Sequence, residues 1–334
     1  MDISNQVNSK GWLSLCYHYI RPSKDIDKFQ RLLGTSEAEF HEHTKILQQN
    51  FQMISLQEAK KLCEGKLSLN EKHGMLMTFD DGLSDHYLAA KILNQYDIKA
   101  TFFIPTGILE DQLPATPNII HYCLADFGIE SFIDVFNKAL LFYQLKSGNF
   151  NLAFNKKNDD QWETIKKIKL IFKYKLGHIN ARKIAIYIYE NLLLPKYPDI
   201  LNIMHLTENQ IKEMLEMGHS IGVHTRSHVS VASSNLSLSD FNKEVVYPKK
   251  FLEKTFDTEI IAFAYPFGEK EDCLESKKLL ERTNEYQMAF TVEKIVNKID
   301  TSTFELGRYS PMSTDDSFNL HRILKNIIRE DEMI

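Results

Sequence analysis

Seven short apolar runs rich in β-forming residues recur along the chain, and stretches of helical periodicity separate most of them. "WLSLCYHYI" (12–20), "GMLMTF" (74–79), "KATFFIP" (99–105), "HSIGVH" (219–224), "EIIAFAYPFG" (259–268), "YQMAFTV" (286–292) and "TFELGRYS" (303–310) read as strands. Helical patterns fall at 36–51, 84–96, 207–218, 237–256 and about 270–284. This alternation argues for parallel βα units, which present functional groups at the C-terminal ends of their strands. Three helices announce their starts: Ser36 with Glu39, Ser55 with Glu58 and Thr207 with Gln210 have the spacing of a capping box. In the first of these, Phe40, Thr44, Ile46 and Leu47 fall near one face. The rhythm breaks between 111 and about 204, where Lys, Leu, Ile, Phe and Asn dominate and three helical patterns follow one another. This segment reads as a helical insertion, a cap beside the mouth of the fold. Residues 313–334 read as a helical tail.

Composition bounds the function. The chain has 334 residues, 43% hydrophobic and 25% charged, as expected of a globular protein with a large core in one or two domains. A net charge of −5 without a basic run argues against nucleic acid as a partner. Cys16, Cys63, Cys123 and Cys273 are scattered, with no CxxC pair, which fits a reducing compartment and gives no zinc-finger signal. No window holds about 18 uninterrupted apolar residues, so no spanning helix is expected. The N-terminus lacks a basic stretch followed by a long apolar one, and a cytoplasmic location is the corresponding expectation.

Three stretches carry chemistry. In "MLMTFDDGLSDHY" (75–87) an apolar strand ends in Asp80-Asp81. Adjacent carboxylates repel unless a cation or a proton separates them. A polar Asp-Gly turn is one reading, and a metal or acid–base site at a strand end is the other. In "GVHTRSH" (222–228), His224 and His228 lie four apart, which on a helical turn puts both on one side. With Asp81 they make a two-histidine, one-carboxylate set that leaves positions open for water and substrate, suited to zinc, iron, cobalt or nickel. In "FAYPFG" (263–268), a proline and a glycine fix a sharp turn and expose backbone N–H groups able to stabilise an oxyanion. His41 and His43, two apart on a helix, read as solvated; Asp85 reads as a first-turn acid complementing the helix dipole. Trp162 is a candidate for stacking on a sugar or for a core position.

Taken in order, "TFDDG", "HTRSH" and "FAYPFG" resemble the first three motifs of the polysaccharide deacetylase family (NodB-homology, carbohydrate esterase 4), and "KATFFIPTG" and "LCYHYIRP" are also similar to stretches of its members. The resemblance covers roughly 11–110 and 205–312. It implies a deformed (β/α) barrel, spanning 8–110 and 205–312 here, and divalent-metal-dependent hydrolysis of an N-acyl group on a sugar. By position it makes Asp80 the general base, Asp81, His224 and His228 the ligands of one divalent ion, zinc foremost, and the Phe267 N–H part of an oxyanion hole. Tyr265 and Pro266 of the same motif are expected on the substrate side. Two departures stand out. The arginine that often begins the third motif is replaced by Ala264, and Arg308 in "LGRYSP" is the alternative source of a guanidinium. The late Leu-x-His motif that supplies the general acid is absent; His18 in "CYHY" resembles the N-terminal histidine of a permuted subgroup, and His321 is a poorer match. Expected partners are an N-acylated sugar, with no nucleic acid and no membrane span. A deformylase of an N-formyl sugar and a metal-binding, non-catalytic carbohydrate-binding protein remain alternatives. A glycosidase is disfavoured, because adjacent carboxylates are poorly placed to flank a glycosidic bond.

Overall fold

The computed structural model describes residues 10–69, 71–146, 150 and 152–333. The leader reading, and the first two residues of the expected barrel, fall on positions 1–9, outside the described residues. Among the described residues no helix is long and apolar enough to cross a membrane.

Among the described residues nine strands form: β1 (Trp12–Tyr17), β2 (Ile20–Arg21), β3 (Thr35–Ser36), β4 (Gln52–Met53), β5 (Gly74–Phe79), β6 (Ala100–Ile104), β7 (Ser220–Val223), β8 (Ala262–Ala264) and β9 (Met288–Phe290). One parallel sheet runs β1-β5-β6-β7-β8-β9, with β4 paired to the first residues of β5; β2 and β3 pair separately. Helices follow β5, β7 and β8, as the alternation predicts, and the sheet curls into the half-barrel of a deformed (β/α) barrel. Its central strands are buried along their length, which is why they read as continuous apolar runs rather than alternating ones. Period-2 geometry still sorts the side chains. On β5, Met75, Met77 and Phe79 join the core beneath the outer helices, while Leu76 joins Trp12, Phe103, Phe290 and Leu306 in a second cluster on the opposite face, within the curl.

The seventh expected strand, 303–310, does not form. Single bridges tie Leu306 to Phe290 of β9 and Tyr309 to Leu15 of β1, so an irregular segment closes the curl. The reason lies between them. The Gly307 N–H and carbonyl are both taken by the Asn297 side chain, at 2.8 and 3.0 Å, so they cannot join a ladder. A Cβ at Gly307 would lie 2.3 Å from Ile295 Cγ1 and 2.4 Å from the Glu293 carbonyl, so only glycine fits. β8 is likewise shorter than 259–268, ended by Pro266, which has no N–H, and by left-handed Phe267 and Gly268 (φ 66° and 69°). The 237–256 helix is two helices, Leu238–Phe241 and Tyr247–Phe256, joined by a π-helical turn.

Two local expectations need correction. Ser36 caps its helix through the Glu39 N–H, but the Glu39 carboxylate turns away to accept from the Ser317 N–H, so the box is not closed; the Ser55/Glu58 and Thr207/Gln210 boxes are. His43 is buried rather than solvated, held between the Tyr17 hydroxyl (3.0 Å) and the Asp315 carbonyl (2.8 Å). Asp85 lies in the first turn of its helix, as expected, and is also tied to the Arg21 guanidinium at 2.8 Å.

Between β6 and β7 the chain is helical: Thr116–Phe142, Gln161–Leu170 and His178–Ile188, the last two continuing through π-helical turns. These helices enclose an apolar core of their own (Phe132, Phe136, Ile168, Ile184, Ile188), which extends onto Tyr19, Phe29, Leu32 and Leu83 of the barrel. The segment ends as a clamp. The Ser84 N–H donates to the Met204 carbonyl and the Leu206 N–H to the Gly82 carbonyl, both at 3.0 Å, gripping the loop that follows β5.

Three buried histidines give the fold a pH dependence. His219 accepts from the Ala100 N–H at Nδ1 and donates to the Ala90 carbonyl from Nε2, so both ring nitrogens are used in the neutral form. Burial pushes His219 and His205 down to about 4 and His86 to about 3. Unfolded, each takes a proton near pH 6.5. The unfolded chain therefore binds more protons below that value, and stability falls as pH drops from about 6.5 through the folded values. Thermal melts from pH 7.5 to 4.5 should show a monotonic loss. His219→Gln, which keeps a donor and an acceptor, should remove one group's share, on the order of 3 kcal/mol between the two values. A melting temperature flat over this range would contradict it.

Candidate metal centre

β5 delivers the two aspartates to different places. Asp80 continues the ladder, its N–H donating to the Tyr17 carbonyl at 3.0 Å, and shares the inner face with Leu76 and Thr78. Asp81 then turns left-handed (φ 79°) and Gly82 follows (φ 57°), which swings the second carboxylate away from the first. A side chain at Gly82 would press on Ile108 at 3.1 Å. The carboxylates are thus separated by backbone geometry, at a strain typical of functional sites.

Arg308 reaches Asp80 from the irregular closing segment. Its NH1 donates to Asp80 Oδ1 at 2.7 Å and its NH2 to Oδ2 at 2.8 Å, a bidentate pair at full burial. NH1 also donates to Thr78 Oγ1 and Nε to the Thr291 carbonyl, and the guanidinium lies over the rings of Phe103 and Phe290 at 5.5 and 5.8 Å. The Cys16 thiol donates to Asp80 Oδ2 at 3.2 Å. Burial alone would raise the Asp80 carboxyl, but Arg308, and then His224, outweigh it and hold the group well below the usual carboxylate range.

His224 follows β7, and His228 comes four residues on, but no helix joins them. Thr225 and His228 are left-handed (φ 57° and 60°), and a turn brings the rings to 4.7 Å, edge to face. Glu244 holds this turn by accepting from the N–H groups of Arg226 and Ser227 and from the Ser227 hydroxyl. Asp81 Oδ1 lies 3.1 Å from His228 Nε2 and 3.4 Å from His224 Nε2. The three ligand atoms all fall within 4.8 Å of one another.

The donor set fits a divalent cation on three grounds. His224 Nδ1 donates to the Ala264 carbonyl at 2.9 Å, which leaves its Nε2 lone pair free. Asp81 Oδ1 is buried without a hydrogen bond, although two ring nitrogens are close, as expected of atoms aimed at a common point. Asp81 Oδ2 accepts from Asn118 Nδ2 at 3.0 Å, which fixes the carboxylate with Oδ1 towards the histidines. Burial would raise the Asp81 carboxyl; His228 and then His224 outweigh it and hold it well below the usual range. Cys16, His18 and Asp80 form a second cluster of ligand-type atoms within 4.8 Å. It fits a cation poorly, since Asp80 is already engaged by a guanidinium and burial raises the Cys16 thiol well above its usual value.

Asp80, Asp81, His224 and His228 lie on a cavity of about 640 Å³ walled by the helices after β6. His18, an exposed side chain after β1, lines the same cavity, while its carbonyl accepts from His86 Nε2. Phe267 also lines it; its N–H has no hydrogen-bond partner among the described residues, and its ring packs edge-on to His228. The expectation for Tyr265 and Pro266 needs correction. Tyr265 is buried in the outer core with its hydroxyl on the Phe304 carbonyl, and neither residue borders the cavity, because left-handed Phe267 turns the motif so that only that residue faces it. His321 lies on the helix Ser317–Glu332, away from the cavity lining. Asn118, Cys16 and Glu244 escaped the sequence reading. Asn118 lies outside every motif, and a side-chain contact across 37 residues has no local signature.

The Asp80–Arg308 pair makes a stability prediction. Arg308→Met leaves a buried carboxylate without its partner and should cost about 3–5 kcal/mol in urea unfolding. Adding Asp80→Asn should recover part of this. Equal stability of Arg308→Met and the native chain would refute it.

Comparison with known proteins places the motifs and the fold beside those of other chains. The family model described as polysaccharide deacetylase matches residues 174–290, taking in the second and third motifs; the first lies upstream, beyond most of the helical segment. The Bacillus subtilis (strain 168) protein YxkH, which carries a polysaccharide deacetylase name, is 31% identical over 119 residues, 35% of this chain and 41% of its own length. The chain thus matches about two fifths of that curated relative. Among solved structures, the Streptococcus pyogenes deacetylase PplD, determined with acetate, superposes with a TM-score of 0.58 at 17% identity, over 95% of this chain and 99% of its own. IcaB from Ammonifex degensii gives 0.55 at 18% identity, over 95% and 98%. At these identities the structural likeness is one of fold, the deformed (β/α) barrel. The resemblance carried by the motifs is to the polysaccharide deacetylases.

Proposed function

We propose that this chain is a member of the polysaccharide deacetylase family and a metal-dependent hydrolase that removes an N-acyl group, in the first place acetyl, from a sugar in a saccharide chain or precursor. One observation carries the reading: two adjacent aspartates are given opposite partners, Asp80 a guanidinium and Asp81 two imidazoles, on the floor of one cavity. A binding protein needs only the second arrangement.

Asp81, His224 and His228 would hold the divalent ion, zinc foremost, which when bound supplies Lewis acidity to water and to the acyl oxygen. Asp80 takes the proton of the attacking water. Its carboxylate offers about four lone-pair sites; Arg308 uses two and the Cys16 thiol one, so one remains for that proton. Arg308 orients the base and keeps it ionised. The free Phe267 N–H donates to the oxyanion that forms as the acyl carbon becomes tetrahedral. His18, exposed on the cavity, hands a proton to the leaving amine as the C–N bond breaks. The helices 111–204 act as a cap that shapes the saccharide site.

Metal analysis and acetate release from an N-acetylated oligosaccharide test the reading together. His228→Ala should lose both metal and activity. Asp80→Asn should retain metal and lose activity by a factor on the order of 10² or more. His18→Ala should retain metal and lower turnover. Full metal occupancy in His228→Ala, or an active Asp80→Asn, would refute the assignments.

A further inference from the structure

The helix Gln161–Leu170 and the π-helical turn that extends it, Ile171–Lys175, form one wall of the cavity. Trp162, Lys166, Lys169 and Lys173 all border it. Their spacings of four, three and four put them in a single stripe along one helical face, about 16 Å from end to end at the helical rise. Trp162 is 62% exposed although aromatic.

The charges along this wall do not balance. The carboxylates that border the cavity are Asp80, Asp81 and Glu269. Asp80 is matched by Arg308, Asp81 by the two histidines and Glu269 by Lys173, which also reaches Asp272. Among the described residues, Lys166, Lys169 and Arg182 border the cavity without a carboxylate partner, and Arg182 spends one N–H on the Pro114 carbonyl. Neighbouring protein desolvates the Lys169 amine, although the residue as a whole is exposed, and lowers it from its usual value; the Arg182 guanidinium is lowered likewise, against the opposing pull of Asp111 and Glu244. This concentration of positive charge sits in a chain of net charge −5.

A second cavity of about 520 Å³ adjoins the first, and the two share His18, His121, Trp162, Ile165 and Lys169. Its cations, Arg31, Lys156 and Lys169, face a single acid, Glu130. A continuous trough therefore runs from the aspartates past Trp162, longer than one monosaccharide needs.

We propose that the Trp162–Lys166–Lys169 stripe is a specificity subsite for an anionic oligosaccharide, one that carries carboxylate or phosphate groups on units beyond the N-acyl sugar. This rests on the hydrolase reading for its place beside the reacting centre, but not for its chemistry. Trp162 gives the sugar ring a stacking face, and the two lysines, rimmed by low-dielectric walls, select against neutral chains.

Intrinsic fluorescence tests it directly. The chain has two tryptophans, and Trp12 is buried, so a ligand-dependent change reports Trp162. The probes are tetra-N-acetylchitotetraose as the neutral ligand, a hyaluronan tetrasaccharide for carboxylate and tetra-N-acetylchitotetraose phosphorylated on one terminal unit for phosphate. At about 20 mM salt at least one anionic probe should bind about tenfold or more tighter than the neutral one, and the preference should shrink at about 500 mM, where charges are screened within a few ångströms. In K166Q/K169Q the anionic-to-neutral ratio should fall to about one, and K166R/K169R should restore it, as expected of point-charge recognition. Both lysines are exposed, and a melting curve checks the fold of each variant. Equal affinity of the native chain for neutral and anionic probes, or a preference that survives K166Q/K169Q, overturns the proposal. Charge-selective binding with no acyl release by the metal-loaded protein would instead overturn the hydrolase reading and leave this subsite standing.

Discussion

The buried pair between Asp80 and Arg308 organises the centre of this protein. A buried carboxylate and guanidinium are tolerable only with good mutual geometry and further hydrogen bonds to their remaining groups. The barrel supplies both. Two parallel N–H···O bonds join the groups, Thr78 and the Thr291 carbonyl take two more of the guanidinium donors, and Phe103 and Phe290 cover its faces. The closing segment 303–310 is irregular because Arg308 must point inward between β9 and β1, and Gly307 and Asn297 adapt the backbone to that need. Ala264, buried at the end of β8, has a small side chain that leaves the interior to Arg308.

Once Asp80 is neutralised in this way, Asp81 is free to serve something else. Its left-handed backbone sends it towards two histidines that are themselves presented by a strained turn. Four of the left-handed non-glycine residues, Asp81, Thr225, His228 and Phe267, lie in the three loops around the cavity. Such conformations persist only where the surroundings over-determine them. For Asp81 the restraint comes from the helical segment after β6, where Asn118 fixes the carboxylate and the Met204–Leu206 clamp fixes the loop behind it, and for the histidine turn it comes from Glu244. The helices wall the cavity and also hold its floor.

The strand–helix alternation made the barrel legible, and β5 and the closed caps at Ser55 and Thr207 follow local rules that a sequence displays. The adjacent aspartates and the paired histidines were legible for the same reason, since each motif is contiguous. What escaped was non-local. A 3.6-residue period led to the expectation that two histidines four apart meet, yet the chain brings them together with left-handed turns, whose φ angles leave no periodic trace. Tyr265 looked like a site residue because its neighbours are, and one left-handed residue, Phe267, reverses which side chains face the cavity. His43 looked solvated on its helix because Asp315, which fills its other ring nitrogen, lies 272 residues away.

Sequence distance also gives the Asp80–Arg308 pair a place in time. The two residues are 228 positions apart. On a ribosome adding residues at roughly 5–20 per second, Asp80 would wait on the order of ten seconds or more for its counter-charge. Through that interval β1, β5 and β6 can pair, but the carboxylate at the end of β5 has no guanidinium and must stay hydrated. The interior can dry only when the last segment arrives. Loop-closure entropy makes so distant a contact slow to form, so the closing of the barrel and the maturation of its polar centre are one late event. The helical segment, with a core of its own, is synthesised in between and can hold the half-built sheet together until then.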